Sequence, residues 1–198
     1  MAAPVGLKRA QVIDAAVSLL EQSGRLDAVV LRTVAERLGV RTQSLYAHVD
    51  GLDGLRRQLA LRGLSTLADR LTEAAVGRAG GDAIDAVIRA YLSFAGECPG
   101  LYEAALRAPD GDAELIAAMT AVMRPLNLVF ASYGLDDEQA LHSYRIVFSA
   151  VHGLATLRRD GLITLPGDIE ETVNRLSSAL TAHIEAEVRP AAAAAGSR

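Results

Sequence analysis

Residues Val30–Val49 read VLRTVAERLGVRTQSLYAHV, two short helical patterns hinged on Gly39-Val40. In the first, Val34, Ala35 and Leu38 fall at i, i+1 and i+4, one apolar face of about two helical turns. Ala35 is small where a crossing helix needs close approach, and Gly39 suits the positive-φ residue that ends a helix. In the second, Leu45 and Val49 point inward, leaving Arg41, Thr42, Gln43, Ser44, Tyr46 and His48 for the outside. This spacing predicts a helix-turn-helix whose second helix is short and rich in hydrogen-bonding groups. Such a helix suits a major groove, where donors and acceptors meet base edges. The corner alone leaves a rival open, a helical small-molecule binder or enzyme in which it is merely structural.

Outward from that stretch the chain reads as helices separated by Gly, Pro and Asp. Upstream, a helix is expected over 7–23, with Ile13, Val17 and Leu20 on one face and Gly24 as its stop. Downstream, Asp50-Gly51 breaks the pattern before a long helix over 52–76, carrying Leu52, Leu55, Leu59, Leu64, Leu67 and Leu71. At 1.5 Å per residue it spans about 35 Å and would link a head to a body. Further helices are expected over 82–97, 101–107, 112–133, 136–159 and 168–190, with a kink or break near Arg124 because Pro125 follows. The fold expected is all-α with about nine helices: a three-helix head over 1–51, a helical body over 52–190, and a disordered tail over 191–198.

Composition agrees. Of 198 residues 51% are hydrophobic but only 4% aromatic, with no Trp, so alanine and leucine must fill the interior; that favours packed helices over strands. The net charge of −4 hides an asymmetry: residues 1–62 hold nine Lys/Arg against six Asp/Glu, while 63–198 hold eleven against eighteen. A mildly basic head suits an approach to phosphate. Cys98 is alone, excluding a disulfide framework and pointing to a reducing cytoplasm. Neither a signal peptide nor a membrane span is expected. His48, His142, His152 and His183 form no pair at metal-binding spacing and no Gly-rich loop follows a strand, so neither metal, cofactor nor catalytic activity is expected.

The stretch from Leu7 to Leu59 resembles the DNA-binding domain of the TetR/AcrR family of bacterial regulators. The runs AQVIDAAVSLLEQSG, LRTVAERLGV and SLYAHVDGLDGLRRQLA carry the resemblance. It implies that Thr42, Gln43 and Ser44 face bases, that Tyr46 and His48 bond phosphate, and that Arg32 reaches phosphate or an adjacent base. Arg41 joins this set. The ring of Tyr46 packed on the first helix, and His48 as an ordinary surface histidine, are the alternatives. Three positions depart from the pattern. Leu52 replaces a lysine, with Arg56 or Arg57 as the candidates to compensate; Val30 replaces a Thr or Ser cap; and Arg41 replaces a small hydroxyl residue, so Thr42 is expected to cap.

The body resembles a TetR subgroup marked by a Trp-His-Gly step, here Val151-His152-Gly153. That resemblance implies a homodimer joined through the last two helices, a double-stranded DNA operator as partner, and a pocket for an unidentified small molecule. The interface residues expected are Val151, Leu154, Ile169, Val173, Leu176, Leu180 and Ile184, although a monomer core could use the same stripe. The pocket residues expected are Tyr91, Phe94, Tyr102, Met119, Met123, His142, Arg145, Phe148 and His152, with core packing as the alternative for each. A buried Arg145 would need an anion, either Glu97, Glu103 or an acidic ligand.

Overall fold

The computed structural model describes residues 6–195, with side chains as far as residue 188. Among them there are eight α-helices and no strand: α1 Arg9–Ser23, α2 Leu31–Leu38, α3 Gly51–Ala75, α4 Gly80–Glu97, α5 Pro99–Ala105, α6 Ala113–Tyr133, α7 Asp137–Arg159 and α8 Ile169–Ala195. A 3-10 helix at Thr42–Ala47 stands where the short second helix of the corner was expected, and a single 3-10 turn occupies Leu26–Ala28.

Most helix bounds shift by one or two residues from the sequence reading, and α6 and α8 depart from it further. Helix α4 starts at Gly80, ahead of Asp82. Helix α6 passes through Pro125 unbroken. The proline nitrogen cannot donate to the carbonyl of Ala121, but Ala121 is exposed and water can serve that oxygen. Helix α8 continues past Pro190 to Ala195, so alanines expected to be disordered are helical; alanine has the highest intrinsic helix propensity. Residues 196–198 of the expected tail lie outside the described residues.

The chain forms two compact units, and neither follows the expected boundary at residue 51. The first holds the chain as far as Thr66 together with Glu97–Ala118. Its core joins Val12, Ala16 and Leu20 of α1, Val34 of α2, Leu45, Leu55 and Leu59, and Leu101 and Tyr102 of α5. Each fully buried side chain of this size contributes about 1.5–3 kcal/mol. On α1 the buried face is Val12, Ala15, Ala16 and Leu20, one residue round from Ile13 and Val17, which are half-buried. A Cβ on Gly63 of α3 would lie 2.5 Å from the Leu101 carbonyl oxygen, so α5 approaches α3 at backbone distance there. Arg57 pairs with Asp112 and, at 2.7 Å, with Glu114, and Arg107 reaches Asp53 at 2.8 Å. The Leu26 N–H donates to Glu103 Oε2 at 3.1 Å.

The second unit holds Leu67–Gly96 and the chain from Met119 onward. Buried Leu67 and Leu71 continue the apolar face of α3, joined by Ile84, Val87, Ile88 and Phe94 of α4 and by Val122, Leu126 and Phe130 of α6. Helix α7 adds Val147, Val151 and Ala155, and α8 adds Val173, Leu180 and Ile184. Arg89 of α4 ties to Asp85 at 2.8 Å and to Glu170 of α8 at 3.4 Å. Helix α6 is, among the described residues, the one helix long and apolar enough to cross a membrane, judged by length and composition only, with a mean hydropathy of 1.5.

Candidate nucleic-acid interface and interior cavity

Gly39 ends α2 with φ 66°, and the next amide, Val40 N–H, donates back to the Ala35 carbonyl at 3.0 Å. Val30 cannot cap α2 with its side chain. Thr33 Oγ1 instead accepts from the Val30 N–H at 3.2 Å and donates to the Val30 carbonyl at 2.8 Å, securing the same turn from the other side. Arg37 crosses to α1, donating to Gln22 at 3.1 Å and Ser18 at 2.7 Å.

The 3-10 geometry sorts the recognition segment into three rows, because side chains three apart lie above one another. Thr42, Leu45 and His48 share the inward row; Leu45 is fully buried, and Thr42 and His48 are half-buried beside it. Gln43 and Tyr46 share an outward row, both exposed, Tyr46 by 59%. Arg41, Ser44 and Ala47 form the third row, exposed except for half-buried Ser44. Val49, buried after the last turn, closes the anchor. Tyr46 therefore does not pack on α1. Arg41 rather than Thr42 precedes the first turn, with no side-chain cap, and its carbonyl accepts from the Ser44 N–H at 2.9 Å. Arg32 is exposed and pairs with Glu36 at 3.4 Å. Arg57, held by Asp112 and Glu114, is committed inside its own unit, and Arg56 is half-buried. Lys8 and Arg9, exposed at the start of α1, are basic positions the motif left aside; their only sequence signal was adjacency.

In the second unit a small apolar cavity lies among Leu71, Val87, Ile88, Tyr91, Val122, Leu126, Tyr144, Val147, Phe148 and Val151. Its free space is about 20 Å³, room for about one water. Tyr144, Phe148 and His152 recur every four residues on α7, and their rings stack with centroids 5.8 and 5.3 Å apart. Tyr91 meets Phe148 edge-on at 6.2 Å, and its Oη lies 3.3 Å from His152 Nδ1. Burial and, less strongly, the Arg159 charge push His152 below the usual histidine value, and burial raises the Tyr144 phenol to about 12. His152 and Tyr144 are thus neutral near pH 7.

Of the expected pocket residues, Tyr91 and Phe148 line the cavity and His152 backs Tyr91. Phe94 is core, with the Arg70 guanidinium 5.5 Å above its ring. Tyr102 is core in the other unit. Met119 is half-buried outside the cavity lining, and Met123 borders a separate concavity with Asn127 and Leu141. His142 and Arg145 are exposed. The buried row of α7 is Ser143, Val147, Val151 and Ala155, and Arg145 stands about 200° round the helix from Ser143. It therefore needs no buried counterion, and Glu103 is already engaged by the Leu26 amide. The expected interface stripe also turns inward. Val151, Val173, Leu180 and Ile184 are buried within the single chain, and only Leu154, Ile169 and Leu176 keep partial exposure.

A head built on an exposed helix-turn-helix, followed by an all-α unit with an apolar cavity, defines a class of DNA-binding regulators. The comparisons agree. Residues 84–180 match the tetracyclin repressor-like C-terminal domain model. The chain is 36% identical over 165 residues to the uncharacterized HTH-type transcriptional regulator Rv0681 of Mycobacterium tuberculosis, covering 82% of this chain and 75% of that one. It is 31% identical over 175 residues to the uncharacterized HTH-type regulator YobS of Bacillus subtilis, covering 88% and 91%. A solved protein of unknown function from Rhodococcus sp. RHA1 superposes with TM-score 0.74 at 25% identity, covering 89% and 94%. The chain belongs to the TetR family of transcriptional regulators and is not an enzyme.

Proposed function

We propose that the protein is a ligand-responsive repressor that acts in the cytoplasm and binds a near-palindromic operator as a homodimer. The observation carrying this reading is the outward row of Gln43 and Tyr46, exposed while Leu45 and Val49 anchor the segment. In the bound state Gln43, with Thr42 and Ser44 beside it, reads base edges, while Tyr46, His48, Arg41 and Arg32 hold phosphates. The two recognition segments of a dimer would enter successive major grooves roughly 34–36 Å apart. Because the expected stripe is spent in the core, the partner is met through what α7, α8 and their loop leave exposed: Ile146, Leu157, Leu162 and Leu165, with Leu154 and Leu176 at the margin.

The effector is an uncharged apolar compound that enters the cavity by displacing Phe148 and hydrogen-bonds the Tyr91–His152 pair. Helix α3 borders that cavity at Leu71 and runs on into the unit that carries the recognition segment. An effector releases DNA only to the extent that it binds one arrangement of α3 better than the other. Salt titration of operator binding tests the reading. A phosphate-contacting dimer loses affinity steeply between low and moderate salt, with a log–log slope near −0.9 per neutralised phosphate. A helical module that does not use DNA shows no such binding at any salt.

A further inference from the structure

A second opening in the 67–96/119–195 unit is an open groove of about 470 Å³ between the end of α3 and the middle of α6. Its volume falls within the range of about 300–1,000 Å³ typical of small-molecule sites. The floor is apolar. Pro125 and Val129 of α6 lie at its base, and Val76 and Leu128 are 70% and 62% exposed on its walls. This belongs to a wider pattern on α6, whose most apolar stretch is only 33% buried, far less than its hydropathy would lead one to expect of a core helix.

Two guanidinium groups border the groove, Arg78 and Arg124. Three other arginines of the unit are matched with carboxylates: Arg89 with Asp85, Arg159 with Asp160, Arg175 with Glu171. Arg78 donates only to the Ala74 carbonyl, at 2.7 Å, and Arg124 makes neither a hydrogen bond nor an ion pair among the described residues. An apolar trough with two uncompensated cations on its border is complementary to a molecule with an apolar chain and one anionic end.

We propose that this groove binds a long-chain carboxylate, its head held by Arg124 and Arg78 and its chain laid over Val76, Pro125 and Leu128. A concave trough with two cations fits a single carboxylate better than a bilayer surface. The chain from residue 63 onward holds eighteen acidic residues against eleven basic ones and would be repelled by anionic lipid. The site shares no lining residue with the smaller apolar cavity, and the inference does not rest on the DNA-binding reading.

The test is fluorescence titration of the full chain with monomeric cis-parinaric acid and with the corresponding alcohol. Saturable binding of the acid is expected, with the alcohol about tenfold weaker, the scale of a hydrogen bond to a charged group. Arg124→Ala and Arg78→Ala each lower acid affinity about tenfold and erase the preference for acid over alcohol. Leu128→Glu abolishes binding, and Arg175→Ala leaves it unchanged; all four positions are exposed, and circular-dichroism melts check that the variants fold. The proposal is overturned by equal affinity for acid and alcohol, by indifference to Arg124, Arg78 and Leu128, or by no binding. It is equally overturned if only phosphatidylglycerol vesicles capture the protein. Conversion of a dimer to monomer by Leu128→Glu would also overturn it, because a second copy would then fill the groove.

Discussion

At the scale of single residues, Gln43 and Tyr46 share one exposed row of the recognition segment but carry different proposed roles, base reading and phosphate holding. Tyr46→Phe removes one phosphate donor, so operator and non-operator DNA should weaken alike, by about 1.5–3 kcal/mol, in fluorescence anisotropy. Gln43→Ala should alter base preference in a randomised-site selection; an unchanged preference removes Gln43 from the specificity set. Asp112 makes a different kind of prediction. The Arg57 guanidinium, the Leu115 and Glu114 amides and the Arg57 charge hold its carboxyl at about 2, below the ordinary unfolded value of about 3.9. A lowered carboxylate pKa gives stability that is fully present above the unfolded value and lost as pH falls through the folded one. The melting temperature should therefore drop between about pH 4 and pH 2, and Asp112→Asn should flatten that part of the curve.

At the scale of elements, the corner was legible because its signals are local: Gly39 after one apolar face, then Leu45 and Val49 four apart. The kind of helix was not, since the same six residues satisfy an α or a 3-10 spacing until burial separates the rows. On α8 the sequence identified an apolar stripe but not its partner. An apolar face reads identically whether its own chain or a second copy covers it, and here the chain covers Val173, Leu180 and Ile184 itself. Arg145 lies off the buried row for a related reason, because the phase of α7 is set by Val147 and Val151 rather than by polarity. Close approach of α5 to α3 also left no pattern beyond Gly63. Gly63→Ala should destabilise the chain by about 1–3 kcal/mol in denaturant titration, since the new methyl meets a backbone carbonyl rather than a mobile side chain.

At the scale of the whole molecule, regulation in this reading needs two copies. Leu157→Asp on the exposed side of α7 should yield monomers in analytical ultracentrifugation and lose most operator affinity, because a single half-site gains little from one short segment. A dimer that persists in this variant would move the interface elsewhere. Helix count and class were readable from chain order alone. The allocation of helices to units was not, because contiguity in sequence is a poor guide when a later helix returns to an earlier core.

That return has a practical corollary. Helix α3 serves as a wall in one core as far as Thr66 and in the other from Leu67, and α5 with the start of α6 completes the first from downstream. A fragment cut at residue 51 would thus be missing Leu55, Leu59, Leu101 and Tyr102, and should be obtained unfolded. Grafting this reading head onto a foreign effector module requires transplanting two separate tracts of the gene, and chimaeras joined at a single crossover should fail.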